Sequence, residues 1–336
     1  MPVRVPDGPI LAGVDGDGGS DSLPGLLAEV RQGRPRAMGR LISLVENGSA
    51  RIPEIMANLA PDTGHAYVVG LTGPPGVGKS SITAALVTHL RQSGRRVGVL
   101  AIDPSSPFSG GAVLGDRVRM QEHGLDPGVY IRSMATRGHL GGLSVAAPHA
   151  LRVFDAAGLE VVLLETVGVG QSEVEVAQVA DVTVVLLAPG MGDAVQAAKA
   201  GLLETADLYV VNKADRDGVG SLVRDLRAMV ALGGPSPWSP PVLTTVGIEG
   251  RGIAELWAGV ERFADQQRRS GADRIRREAR HRRELVSLSL ARISERLLAA
   301  HQADVEALAA EVSRGELDPY AAVDFLLSRL GPGWSG

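Results

Sequence analysis

The chain has 336 residues, 44% of them hydrophobic, with a formal charge of -4 and no cysteine. That is apolar material for a large core and fits one enlarged α/β domain with appendages better than two full domains. It excludes disulfides, thiolate metal sites and a cysteine nucleophile, and the acidic balance argues against nucleic acid as a partner.

The opening stretch, Met1 to Ser22, is rich in glycine and aspartate and lacks the apolar core of a signal peptide and the arginine-rich pattern of a transit peptide. No later run reaches the length of a membrane span, so a cytoplasmic protein with no membrane partner is expected. Leu23 to Glu46 has helical periodicity, interrupted at Gly33-Arg34-Pro35, and Ile52 to Leu59 continues it. Tyr67 to Leu71 then reads as a buried strand that breaks into a glycine-rich turn and a helix from Ser81 to Arg91. Further strands are expected at Arg96 to Ile102, near Val129-Tyr130-Ile131, and over Leu159 to Leu164, Val182 to Ala188, Asp207 to Val211 and Val242 to Thr245. Helical segments alternate with them, Ser144 to Ala157 and Ile253 to Phe263 among them. That alternation predicts a doubly wound, mostly parallel sheet with its ligand at the carboxyl ends of the strands. From Asp273 to Glu311 the chain reads as one long helix laced with arginine and glutamate, whose apolar stripe needs a partner, and Pro319 to Leu330 closes it with a short helix.

The strand-turn-helix corner carries the chemistry. Gly73, Gly78, Lys79 and Ser80 satisfy G-x-x-x-x-G-K-[ST], with a strand before and a helix after. Backbone N–H groups of Gly73, Pro75-Gly76-Val77-Gly78 and the first helical residues Ser80 and Ser81 can converge on a polyphosphate, apart from the proline, which has none. Lys79 is expected to reach the outer phosphates and Ser80 to ligate Mg²⁺. Of 34 basic residues, only Lys79, Lys199 and Lys213 are lysine, so each lysine marks a place where a compact ammonium serves better than a planar fork.

Asn212-Lys213-Ala214-Asp215 follows a buried strand in the N-K-x-D pattern of guanine sites. The Asp215 carboxylate can accept from guanine's ring N–H and amine, Asn212 can bond the other edge, and the Lys213 stem can lie over the ring. Glu165-Thr166-Val167-Gly168 stands where D-x-x-G is usual, with Glu165 expected to hold Mg²⁺ through water and the Gly168 N–H to meet the γ-phosphate. Asp103 and Asp116 offer further carboxylates for the metal or the attacking water, though either could merely cap a turn. Gln171 is a candidate for placing that water. Pro74 stands where some ATPases carry a second P-loop lysine, and the seven histidines are scattered, which disfavours a metal-delivery role. Lys199, in the glycine-containing loop after Pro189-Gly190, fits no general motif and is read as a contact to the switch carboxylates or the nucleotide.

With these stretches, and with Asp103 to Pro107, Leu114 to Met120, Arg137 to Gly142, Glu165 to Glu173, Ala188 to Lys199 and Asn212 to Asp215, the chain resembles the MeaB/ArgK-type GTPases, the group that includes the methylmalonic aciduria type A protein. The resemblance covers about Leu41 to Phe263. It implies a GTPase using GTP/GDP and Mg²⁺ that accompanies methylmalonyl-CoA mutase, gating adenosylcobalamin loading and protecting or reactivating the mutase. It also implies a homodimer through the C-terminal helices. One departure is Val246-Gly247 in the base loop, where the family tends to show serine-alanine; the Gly247 N–H can still serve guanine. The organisation expected is a flexible N-terminus (1–22), a helical extension (23–62), a GTPase domain (63–265) and a helical dimerisation extension (266–336). Two other readings stand beside it: a kinase serving cationic amino-acid transport, and a nucleotide-dependent binding module with negligible turnover.

Overall fold

The computed structural model describes residues 22–104, 123–136, 143–166, 172–190, 203–234 and 236–329. Three helices come first, α1 (Leu23–Arg31), α2 (Pro35–Glu46) and α3 (Ile52–Leu59), each with a proline in its first turn, where a missing N–H costs nothing. Seven strands follow: β1 (Tyr67–Thr72), β2 (Val97–Pro104), β3 (Val129–Thr136), β4 (Val161–Thr166), β5 (Val182–Leu187), β6 (Leu208–Val211) and β7 (Val242–Thr244). They form one parallel sheet in the order β3-β2-β4-β1-β5-β6-β7. Between and after them lie α4 (Lys79–Gln92), α5 (Leu143–Ala156), α6 (Ser172–Val179), α7 (Val219–Leu232), α8 (Ile253–Ser270), α9 (Ala272–Ser313) and α10 (Pro319–Arg329). Among the described residues no helix is long and apolar enough to cross a membrane.

The central strands are buried on both faces, which is why they read as continuous apolar runs. Their side chains still alternate. Val68, Val162 and Leu164 point into a core shared with α1, α2, α3, α5 and α6, while Val69, Leu71, Val161 and Leu163 point into a second core under α4 and α8. The N-terminal helices therefore form an outer layer against α5. Period-two alternation on β4 also fixes Glu165 on the α4 side of the sheet, one turn of pleat beyond Leu163.

Three differences from the sequence reading have local causes. The β2 and β3 strands run on to Pro104 and Thr136, because their parallel register pairs every residue from Val97↔Val129 to Pro104↔Thr136. Glu165 and Thr166 belong to β4 itself, paired with Leu71, Ala101 and Ile102 on neighbouring strands. The long C-terminal helix is broken by non-helical backbone at His301 (φ -135°).

Charge docks α9 to the body. Asp181 and Asp207 lie just before β5 and β6 and each caps a neighbouring strand, Asp181 accepting from the Val68 N–H and Asp207 from the Thr183 N–H, both at 2.8 Å. Arg276 makes a two-pronged pair with Asp207 at 2.9 and 3.0 Å, and Arg280, one helical turn on, pairs with Asp181. A further turn on, Glu284 takes both prongs of Arg152 from α5 at 2.5 and 2.8 Å. Beside that pair, His149 of α5 is 5% exposed and its Nδ1 meets no partner among the described residues. Burial, reinforced by Arg152, pushes the His149 pKa down to about 4, with Glu284 opposing.

A histidine that is neutral when folded and takes a proton near 6.5 when unfolded makes stability fall as pH drops from 6.5 toward 4. Urea unfolding at pH 7 and pH 5 is expected to show His149→Leu losing about 2 kcal/mol less than the parent over that interval. Equal losses would show that the ring is hydrated or paired.

Candidate functional site

The loop between β1 and α4 is shaped by two glycines that no other residue could replace. Gly73 (φ 143°) runs against the Leu186 carbonyl of β5, and Gly78 (φ 95°), the residue before α4, runs against the Asn212 side chain. A Cβ at either would collide, and both positive φ values disfavour one independently. Lys79 opens the helix with only 6% of its surface exposed, and its Nζ donates to the carbonyls of Gly73 (2.5 Å) and Pro74 (3.0 Å). The ammonium thus lies folded over the loop, held by two of its carbonyls.

On the next strand, Glu165 is 2% exposed and points at α4, as the alternation requires. Ser80 donates to its Oε1 at 2.7 Å and Thr83 to its Oε2 at 2.8 Å. A hydroxyl and a carboxylate side by side are hard oxygen donors of the kind Mg²⁺ takes when phosphates supply other ligands, so the residues present fit that ion.

The base side is built from the ends of β6 and β7. Asn212 is 2% exposed; its Nδ2 donates to the Val77 carbonyl at 2.8 Å, and its Oδ1 accepts from the Gly247 N–H at 3.0 Å and from Thr245 Oγ1 at 3.1 Å. The Ala214 N–H donates to the Thr245 carbonyl at 3.0 Å, so the loops after β6 and β7 run in register. Lys213 is the non-glycine residue at positive φ (57°) among the described residues, and its Nζ reaches the Gly76 carbonyl at 2.6 Å. Holding that conformation costs about 1 kcal/mol or more, strain of the sort kept where a side chain must be aimed. Asp215 is exposed beside it, and Val246 and Gly247 are buried.

The structure therefore brings together Gly73, Pro75, Gly76, Val77, Gly78, Lys79, Ser80, Ser81, Glu165, Asn212, Lys213, Asp215, Val246 and Gly247 at the carboxyl edge of one sheet. Asp103 lies in β2, paired with Ala135, one residue from the strand's end. Asp116, Gly168, Gln171 and Lys199 lie outside the described residues. One expectation changes: the Gly247 N–H and the Asn212 carbonyl oxygen are bonded to each other, so both brace the base loop. Two contributors were missed. Thr83 could have been found from its place three residues after Ser80 on one helix face, and Thr245 from its place just before Val246.

The family model described as "Methylmalonyl Co-A mutase-associated GTPase MeaB" matches residues 38–302. The chain belongs to the MeaB family of GTPases. A Pyrococcus abyssi protein that carries a GTPase name is 44% identical over 310 residues, 91% of this chain and 96% of that one. GTPase ArgK of Escherichia coli is 37% identical, covering 73% of this chain and 77% of its own. The mouse protein named methylmalonic aciduria type A homolog, mitochondrial, is 37% identical, covering 78% of this chain and 65% of its own. Among solved structures, a LAO/AO transport system kinase superposes with a TM-score of 0.68 at 27% identity, covering 94% of this chain and 99% of that one. A MeaB-family GTPase binds guanine nucleotide.

Asn212→Ala removes a buried amide that ties three loops, and it is expected to cost on the order of 3 kcal/mol in urea unfolding without nucleotide. Lys213→Ala loses an exposed bond and is expected to cost under about 1 kcal/mol. Similar costs for the two would refute the bracing role of Asn212.

Proposed function

We propose that this GTPase binds methylmalonyl-CoA mutase and couples GTP binding and hydrolysis to the loading of adenosylcobalamin and to protection or reactivation of that mutase. The observation that carries the reading is the family match over residues 38–302, supported by the mouse relative's name. In this reading the chain is organised as a flexible N-terminus (1–22), a helical extension (23–62), a GTPase domain (63–265) and a helical dimerisation extension (266–336), working in the cytoplasm.

The residues act as follows. Lys79 exchanges the Gly73 and Pro74 carbonyls for the outer phosphate oxygens, leaving its charge where negative charge grows as the β–γ bond breaks. Ser80, and Glu165 through water, would hold Mg²⁺, which would supply positive charge to offset the negative charge developing on the phosphates. Asp103 and Asp116 complete that carboxylate set or orient the attacking water, and Gly168 meets the γ-phosphate. Asp215 accepts from guanine's N–H and amine, the Lys213 stem covers the ring, and Asn212, Val246 and Gly247 hold the loops that receive it. Adenine presents the reverse pattern of donors and would leave Asp215 unpaired. Lys199 contacts the switch carboxylates or the nucleotide and so couples its loop to partner-stimulated hydrolysis. Leu285, Val286 and Leu290 of α9 are 66%, 55% and 62% exposed, an apolar face that a second copy of the chain covers.

The name of the superposed solved structure favours a second reading, a kinase serving cationic amino-acid transport. Following the γ-phosphate of labelled GTP, with and without the mutase, separates the two. Inorganic phosphate released faster with mutase supports the proposal, and label on a protein acceptor supports the kinase.

Three outcomes are expected. GTP should bind tighter than ATP by well over about a hundredfold, and ATP within about tenfold would refute the guanine assignment. Ser80→Ala and Glu165→Ala should reduce Mg²⁺-dependent hydrolysis by about 10²-fold or more while weakening GDP binding far less; equal losses would refute the metal assignment. Val286→Glu with Leu290→Glu, both on an exposed face, should give a monomer by light scattering, and a persistent dimer would place the interface elsewhere.

A further inference from the structure

Glu165 stands where the D-x-x-G pattern has aspartate, and its extra methylene adds one more torsion between backbone and carboxylate. Left to rotate, that carboxylate would be spread over several positions, and a metal site needs its groups held to within about 0.5 Å. Thr83 meets this need. It is fully buried on α4, three residues beyond Ser80 and so on the same helix face, and its hydroxyl lies 2.8 Å from Glu165 Oε2. The same hydroxyl is 3.0 Å from the Lys79 carbonyl, one turn back on the helix. It has a single proton, and the carboxylate, which is closer and charged, is the stronger acceptor.

We propose that Thr83 is a positioning residue for the metal site: it fixes the Oε2 corner of Glu165 so that Oε1 stays beside the Ser80 hydroxyl. This rests on the assignment of Ser80 and Glu165 to Mg²⁺. Ser80 can keep donating its proton to Oε1 while its oxygen faces the ion, and Thr83 touches neither ion nor nucleotide. The longer acid then works in place of the shorter one because a hydroxyl behind it removes the freedom that the extra methylene adds.

The test is dissociation of a fluorescent GDP analogue from the full chain across a Mg²⁺ titration. The parent is compared with Thr83→Val, Thr83→Ser and Glu165→Gln, each checked for folding by urea unfolding. Thr83→Val keeps the shape and loses the hydroxyl. It is expected to leave GDP affinity in chelator within about twofold of the parent and to raise the Mg²⁺ concentration for half-maximal retention about tenfold. Thr83→Ser is expected to restore that midpoint to within about threefold. If Thr83→Val fails to fold, Thr83→Ala carries the same expectation. A parental midpoint in the hydroxyl-free variant overturns the proposal, as does an equal loss of GDP affinity with and without Mg²⁺, which marks a purely structural role. Glu165→Gln keeps the two failures apart. If it shifts the midpoint and Thr83→Val does not, only the role of Thr83 falls; if neither does, the metal assignment falls too.

Discussion

One buried amide holds the nucleotide edge together. Asn212 follows β6, yet its side chain bonds Val77, 135 positions earlier, and Gly247, 35 positions later. Because Asn212 is buried, each bond is worth more than a surface one, and a missing partner would leave a buried donor or acceptor unpaired. The geometry of the phosphate loop and that of the base loop are therefore not independent. Gly78 approaches the same amide so closely that only glycine fits, which couples the backbone before α4 to the guanine side of the site. Lys213, the next residue, adds a second tie to the phosphate loop through the Gly76 carbonyl.

The same strands are held at their opposite ends. Just before β5 and β6, Asp181 and Asp207 cap neighbouring backbone and receive Arg280 and Arg276 from α9. Burial raises the Asp207 pKa, and the Arg276 hydrogen bonds and charge work against that rise. The nucleotide loops and the C-terminal helix thus sit on the two ends of one rigid element. A shift in the loop after β6 has a short, stiff route to α9 through four paired residues, Leu208–Val211.

Much of this was legible in the sequence because the signals were dense. A P-loop between a strand and a helix, and N-K-x-D after another strand, each constrain backbone, charge and spacing at once. The alternation of apolar strands and helices gave the sheet, and Gly33-Arg34-Pro35 gave the break between α1 and α2. What escaped was long-range. Nothing near Asn212 says that its oxygen is bonded to the Gly247 N–H, since that contact exists only once β6 and β7 pair. The spacing of Thr83 from Ser80 puts it on the same helix face, but that its hydroxyl meets Glu165 shows only once β4 lies against α4. The break at His301 has no proline or glycine beside it to announce it.

The two faces of α9 illustrate how charge and apolar surface divide their work. Arg276, Arg280 and Glu284 repeat every four residues and face the body, while Leu285, Val286 and Leu290 face outward. Partly buried ion pairs recover little more than their desolvation cost, so three of them add modest stability. They do, however, fix the helix in rotation and in register, because Arg276 and Arg152 each fork onto one carboxylate and Arg280 divides its prongs between Asp181 and the Ala180 carbonyl. An apolar seat would have allowed the helix to slide or roll at small cost. Setting the arm by charge keeps its apolar residues out of the domain's own core and holds them at a fixed angle to the sheet, so that whatever covers them is placed by the same strands that carry the nucleotide loops.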